Sequence, residues 1–141
     1  MIDISDKKPS SRRAKARGRI KLREDTLTLL KGGKTKKGDP FETARIAGTL
    51  AVKNCWDIIP YCHPIPIESV GISFSVLEDG VECECTVKAD YRTGVEMEAL
   101  TGVSVALLTI WDMVKYAEKD ENGQYPFTEI DSISVVEKRK V

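Results

Sequence analysis

Histidine is almost absent from this chain. His63 is the only one among 141 residues. The four cysteines form no CxxC pair, so the usual zinc spacings are excluded and no metal site is expected. There is no run of about 18 apolar residues and no leader-like segment, and the chain reads as soluble and cytoplasmic. A disulfide framework is disfavoured in that setting. Cys83 and Cys85 lie two apart in a strand-like stretch and read as small buried hydrophobes. Aromatic residues make up only 6% of the chain, and none falls between Lys7 and Lys37. That segment is crowded with lysine and arginine against two acids, Glu24 and Asp25. Without aromatics it does not suggest base stacking, and no nucleic-acid partner is expected. A phosphate-bearing small ligand or an acidic neighbouring subunit would suit it equally. The net charge is zero, which excludes a polyelectrolyte.

The patterns that are present describe one compact domain. Residues 1–16 are polar and basic and read as an N-terminal arm, with residues 17–141 as the domain proper. "RGRIKLR" (Arg17–Arg23) alternates as a short strand with a basic face, and "EDTLTLL" (Glu24–Leu30) makes one or two helical turns before Gly32-Gly33. Asp39 is a helix N-cap, with Pro40 at the first helical position and Glu42 as a capping-box partner. This helix is predicted to run to Pro60, with a small-residue stripe of Ala44, Ala47, Gly48 and Ala51. Val70–Val76 and Val81–Val87 alternate around "EDG" as an antiparallel hairpin. Thr93–Lys119 is a long helix, apolar on several sides, and "TEIDSISVVEK" closes with a strand. The order β, α, β, β, α, β predicts an α+β, ferredoxin-like fold: a four-stranded antiparallel sheet with helices on one face.

Four constellations can carry chemistry. "KTKKGDP" places Lys34, Lys36 and Lys37 just before a helix N-terminus, as an anion site or a solvated loop. "GVEMEA" holds Glu96 and Glu98 around Met97. On a regular helix these carboxyl groups diverge by about 200° and cannot share a target. Asp112 and Lys115, three apart, form either a structural ion pair or a tuned acid–base couple. "IIPYCHPIPI" aims His63 with three prolines, Pro60, Pro64 and Pro66. A Cys62–His63 nucleophile is poor, because neighbours in extended backbone point apart. His63 is left as a capped loop residue, a phosphate or heterocycle contact, or an acid/base group.

Taken in order, "KGDPFETARIAGTLAVK", "IIPYCHPIPI" and "TGVEMEALTGVSVALLTIWDMVK" strongly resemble the molybdenum cofactor biosynthesis protein C family, the cyclic pyranopterin monophosphate synthases. The resemblance spans "MIDISDK" to "VVEK". It implies an enzyme that rebuilds a cyclised dihydroguanosine triphosphate, made from GTP, into cyclic pyranopterin monophosphate with release of diphosphate. It also implies a homohexamer, a trimer of dimers with active sites at subunit interfaces, and no redox cofactor, although Mg²⁺ can accompany the triphosphate. By the same resemblance Lys115, Asp112 and Lys37 are catalytic. His63, Cys62, Pro64, Glu96, Met97, Glu98, Lys53, Lys138 and Arg12 bind substrate, with Arg13 and Arg17 as alternatives to Arg12. Two departures stand out: Arg92 replaces a customary lysine, and "RKV" replaces a Gly/Ser/Lys-rich tail. The competing readings on the same fold are a non-catalytic oligomeric nucleotide- or RNA-binding module and a hexamer subunit that has lost activity.

Overall fold

The computed structural model describes residues 1–33 and 35–141. Its elements are β1 (Ser10–Lys21), α1 (Glu24–Lys31), α2 (Pro40–Lys53), α3 (Cys55–Ile58), β2 (Ser69–Val76), β3 (Gly80–Tyr91), α4 (Glu96–Glu118) and β4 (Glu129–Lys140). The sheet order is β2-β3-β1-β4, antiparallel throughout. This is the arrangement expected of a split βαβ fold, in which β1 and β2 are parallel and β3 is inserted between them.

β1 shows why a basic segment can be a central strand. Arg12, Ala14, Ala16, Gly18 and Ile20 alternate onto the buried face, while Arg13, Lys15, Arg17 and Arg19 point the other way. The outer cations meet acids on the two flanking strands. Arg17 reaches Glu84 at 2.7 Å, Arg19 reaches Asp131 at 3.4 Å and Arg13 reaches Glu137 at 3.6 Å. The strand begins at Ser10, so residues 10–16 are central sheet and not arm. The cross-strand register needed to see this is a tertiary fact.

The buried face carries α2 and α4. Asp39 caps α2 by accepting from the Phe41 N–H at 3.0 Å and the Glu42 N–H at 3.2 Å. Glu42 pairs with Arg45 at 2.8 Å instead of closing a capping box. The helix stops earlier than expected, at Lys53, and the short α3 follows before Pro60. Ala44, Gly48 and Ala51 of the small-residue stripe are buried. A Cβ at Gly48 would lie 3.0 Å from the Gly102 carbonyl oxygen, so the two helices touch almost backbone to backbone. By length and composition α4 is apolar enough to cross a membrane, yet it packs against β1, β3, β4 and α2. Ala99, Val103, Ala106, Leu107 and Ile110 are fully buried there.

A Cβ at Gly102 would sit 2.7 Å from Val52 Cγ2 and 2.8 Å from Cys85 Sγ, both in the core. Gly102→Ala is therefore expected to destabilise the fold by about 1–3 kcal/mol. The urea midpoint should fall with an unchanged slope. An unshifted midpoint would show that the two helices separate without cost.

Candidate functional site

Two groups of candidate site residues lie at opposite ends of α4. At its C-terminal end, the spacing of three residues puts Asp112 and Lys115 on one face, and their charged groups meet at 2.9 Å. A tight turn from Thr35 to Gly38 delivers Lys37 to the same carboxylate. Thr35 and Gly38 exchange backbone hydrogen bonds of 2.8 and 3.1 Å, with Gly38 at φ +114°, a region glycine tolerates. Lys37 Nζ donates to Asp112 Oδ2 at 3.0 Å and to the Asp112 carbonyl at 3.2 Å. Asp112 is thus held between two ammonium groups. Hydrogen bonds from Lys115, then from Lys37, hold its carboxyl below the usual aspartate range. The hydrogen bond to Asp112 and its charge raise Lys115 in turn. A groove of about 350 Å³ adjoins the pair, walled by Leu108, Trp111 and Tyr125. The two aromatic rings meet edge to face with centroids 5.3 Å apart.

At the N-terminal end of α4 is a cavity of about 440 Å³. Cys62, His63 and Ile65 line one side, Thr93, Gly94, Glu96, Met97 and Glu98 the other, and Met1 and Ile2 lie at its mouth. His63 Nε2–H donates to the Ile2 carbonyl at 2.8 Å, which leaves Nδ1 as the acceptor of that tautomer. Glu96 and Glu98 both reach this cavity despite their divergence on the helix, because Glu96 is the first helical residue. Their surroundings differ. Burial pushes the Glu98 carboxyl up. At Glu96 burial acts in the same direction but is outweighed by the Lys138 hydrogen bond and charge and by the charge of Arg12, so its carboxyl is lowered. Lys138, on β4, lies 2.5 Å from Glu96.

Arg12 is buried on the inner face of β1, where its Nε–H donates to the Tyr91 carbonyl at 3.3 Å. Its Nη2 is buried without a hydrogen-bond partner among the described residues. Arg13 and Arg17 point to the opposite face and are engaged by Glu137 and Glu84. Cys62 is half-buried, and burial raises its thiol. Burial also takes Cys55 up to about 11 and Cys83 and Cys85 up to about 12, as suits packing residues. Pro64 is exposed and does not line the cavity. Lys53 ends α2 beside Ile46 and Leu50, in a separate surface groove. Lys34 lies outside the described residues.

The structure thus brings Lys37, Asp112 and Lys115 together, and separately His63, Cys62, Glu96, Met97, Glu98 and Lys138. Fourteen residues separate Glu98 from Asp112 on one helix, about 21 Å at 1.5 Å per residue. Trp111 and Tyr125 escaped the sequence reading. Their only signal was the aromatic character of one residue beside Asp112 and another in a loop, and nothing local placed that loop over α4.

The chain matches the MoaC family over residues 1–140. It is 60% identical over 140 residues to a protein of Pyrococcus furiosus, covering 99% of this chain and 90% of that one. It is 59% identical to one of Thermococcus onnurineus with the same coverage. It is 56% identical to one of Thermoplasma acidophilum, covering 99% and 98% respectively. All three bear the name probable cyclic pyranopterin monophosphate synthase. A match running from the first residue to the last but one, at such identities, makes this chain a member of the MoaC family.

Proposed function

We infer that this chain is a cyclic pyranopterin monophosphate synthase, a phosphorus–oxygen lyase of molybdenum cofactor biosynthesis. It takes the cyclised dihydroguanosine triphosphate derived from GTP and releases cyclic pyranopterin monophosphate and diphosphate. The observation that carries this reading is Asp112 gripped between Lys37 and Lys115. Closing the cyclic phosphate brings a ribose oxygen onto the α-phosphorus while diphosphate leaves. The hydroxyl gives up its proton as the new bond forms and diphosphate takes one as its bond to phosphorus breaks, so the step needs positioning, charge neutralisation and a group that relays a proton. With its pKa raised by Asp112, Lys115 is an ammonium group at neutral pH; it gives a proton to the departing diphosphate and regains one from the ribose hydroxyl. Asp112 orients it, and Lys37 neutralises charge developing on the leaving group.

The other group supplies binding. His63 and Lys138, with Arg12 behind Glu96, suit phosphate oxygens, and Glu96, Met97 and Glu98 suit the purine-derived ring. Cys62 belongs to this binding half as a packing residue, while Lys53 sits in its own groove and would reach substrate only from a neighbouring subunit. About 21 Å separates the halves along α4, too far for both to act on one reacting bond. The active site in this reading is therefore completed between subunits of a homohexamer, a trimer of dimers. Exposed apolar side chains on Ile46, Leu50, Trp56, Ile58, Tyr61 and Leu108 support such an assembly. No resident cofactor enters the reaction, and any Mg²⁺ arrives with the triphosphate as part of the substrate. An RNA-binding role loses its main support, because the outer cations of β1 are engaged by acids of β3 and β4.

Incubation of the pure protein with the cyclised nucleotide should yield product and diphosphate in equal amounts. A folded oligomer that releases neither would sink the reading. His63→Ala is expected to raise KM by about tenfold with kcat within about threefold of wild type. A fall in kcat at constant KM would move His63 from binding into the chemical step.

A further inference from the structure

Lys37 reaches Asp112 from a turn that lies just before α2. The turn is closed internally by Thr35 and Gly38, and the Thr35 hydroxyl also accepts from the Lys37 N–H at 3.1 Å. Those bonds shape the turn, but they do not hold it against the helix. Among the described residues, one α4 side chain besides Asp112 does. Tyr116 Oη accepts from the Lys36 backbone N–H at 3.2 Å. The Lys36 ammonium group lies over the same ring, 4.8 Å from its centroid. Tyr116 follows Asp112 by four residues and so shares its face of the helix. Hydroxyl and ring together grip the residue immediately before Lys37.

We propose that Tyr116 is a positioning residue that docks the Thr35–Gly38 turn onto α4 and thereby sets Lys37 against Asp112. The proposal rests on the catalytic reading of Lys37, Asp112 and Lys115 for its kinetic consequence, but its geometric content is independent of turnover. Released from Tyr116, the turn keeps its internal bonds and swings as a unit. Lys37 then leaves Asp112, which is shared between two ammonium groups only while the turn is docked. Lys115 pairs with Asp112 on its own helix, whose carboxylate Lys37 from the turn before α2 also engages, and Tyr125 from the loop before β4 lines the groove beside it. Removing one of two neighbouring cations leaves Asp112 acting on Lys115 alone, which favours the protonated form of Lys115 further.

Two measurements on the intact oligomer test this. The first is a double-mutant cycle between Tyr116 and Lys37. Tyr116→Ala should lower kcat by about tenfold with KM nearly unchanged, and Tyr116→Phe, which keeps the ring and loses the acceptor, by about threefold. In a Lys37→Ala background, Tyr116→Ala should cost less than about twofold more. Equal losses in both backgrounds would overturn the proposal, since Tyr116 would then act without Lys37. The second is a titration of ¹³C-lysine-labelled protein by NMR. The Lys115 resonance should titrate at higher pH in Tyr116→Ala and Lys37→Ala alike, with Tyr116→Phe in between. An unmoved Lys115 titration in folded Tyr116→Ala protein would overturn the proposal even if kcat fell. A moved titration in protein without wild-type turnover would uphold the docking role and reject the enzymatic reading alone.

Discussion

Lys115→Ala is expected to lower kcat by about 10²–10⁴-fold, the usual contribution of a positioned proton donor, with the protein still folded. Lys115 is partly exposed and its only ion pair among the described residues is with Asp112, so its removal takes little from the core. Lys115→Arg separates two roles. Arginine keeps the charge and the pair with Asp112 but gives up protons far more reluctantly. If Lys115 transfers a proton, the arginine variant should remain nearly as inactive as the alanine one. Recovery to within about tenfold of wild type would make Lys115 a fixed charge.

The same variant tests whether the two halves of the site meet between subunits. His63→Ala combined with Glu96→Ala should inactivate the binding half, and Lys115→Ala the other half. Mixed and reassembled, the two inactive proteins should recover about one quarter of wild-type activity. At a two-fold interface each mixed pair restores one intact site and makes one doubly defective one. No recovery in demonstrably mixed oligomers would mean that each chain carries its own complete site.

The largest effect on stability is expected at Glu118, at the C-terminal end of α4. Its side chain is fully buried. The carboxyl group accepts from the Arg23 N–H at 3.0 Å, from the Thr128 hydroxyl at 2.6 Å and from the Thr26 hydroxyl. It thereby caps α1, whose own N-cap residue, Arg23, makes no side-chain cap, and joins α1 and the entry to β4 onto α4. Glu118→Ala strands three donors in the interior and opens a cavity, at an expected cost of about 3–5 kcal/mol. The thermal midpoint should drop by roughly 10–20 °C. Glu118→Gln keeps the shape, and the two threonine hydroxyls can reorient, but one donor is poorly matched, so about 1–2 kcal/mol is expected. Equal midpoints for Glu118→Ala and wild type would show that the three donors find other partners.

Much of the architecture was legible in the chain itself. The alternation of Val70–Val76 and Val81–Val87 around a turn determined the hairpin, because side chains on a strand repeat every two residues. Asp39 and Pro40 determined where α2 starts, because a cap acts on the first few N–H groups. The i,i+3 spacing of Asp112 and Lys115 determined their pairing, because it follows from the helix repeat alone. In each case the interaction is local. The strand over residues 10–16 was not legible. Arg13 and Lys15 look like a solvated arm until Glu137 and Glu84 stand opposite them, and those acids lie 69 or more positions away in the chain.

The candidate site divides in the same way. The residue types the chemistry can draw on were legible along the chain, and the motifs were enough to point to the family. Folding was needed to reveal that Lys37 meets Asp112 across 75 residues of chain, with Tyr116 gripping the turn that carries it. It also decided that both glutamates reach one cavity, and that this cavity and the lysine pair lie at opposite ends of one helix. The physical reason is that such contacts depend on how elements pack, and packing is set by the whole buried interior, not by the residues that meet at its surface.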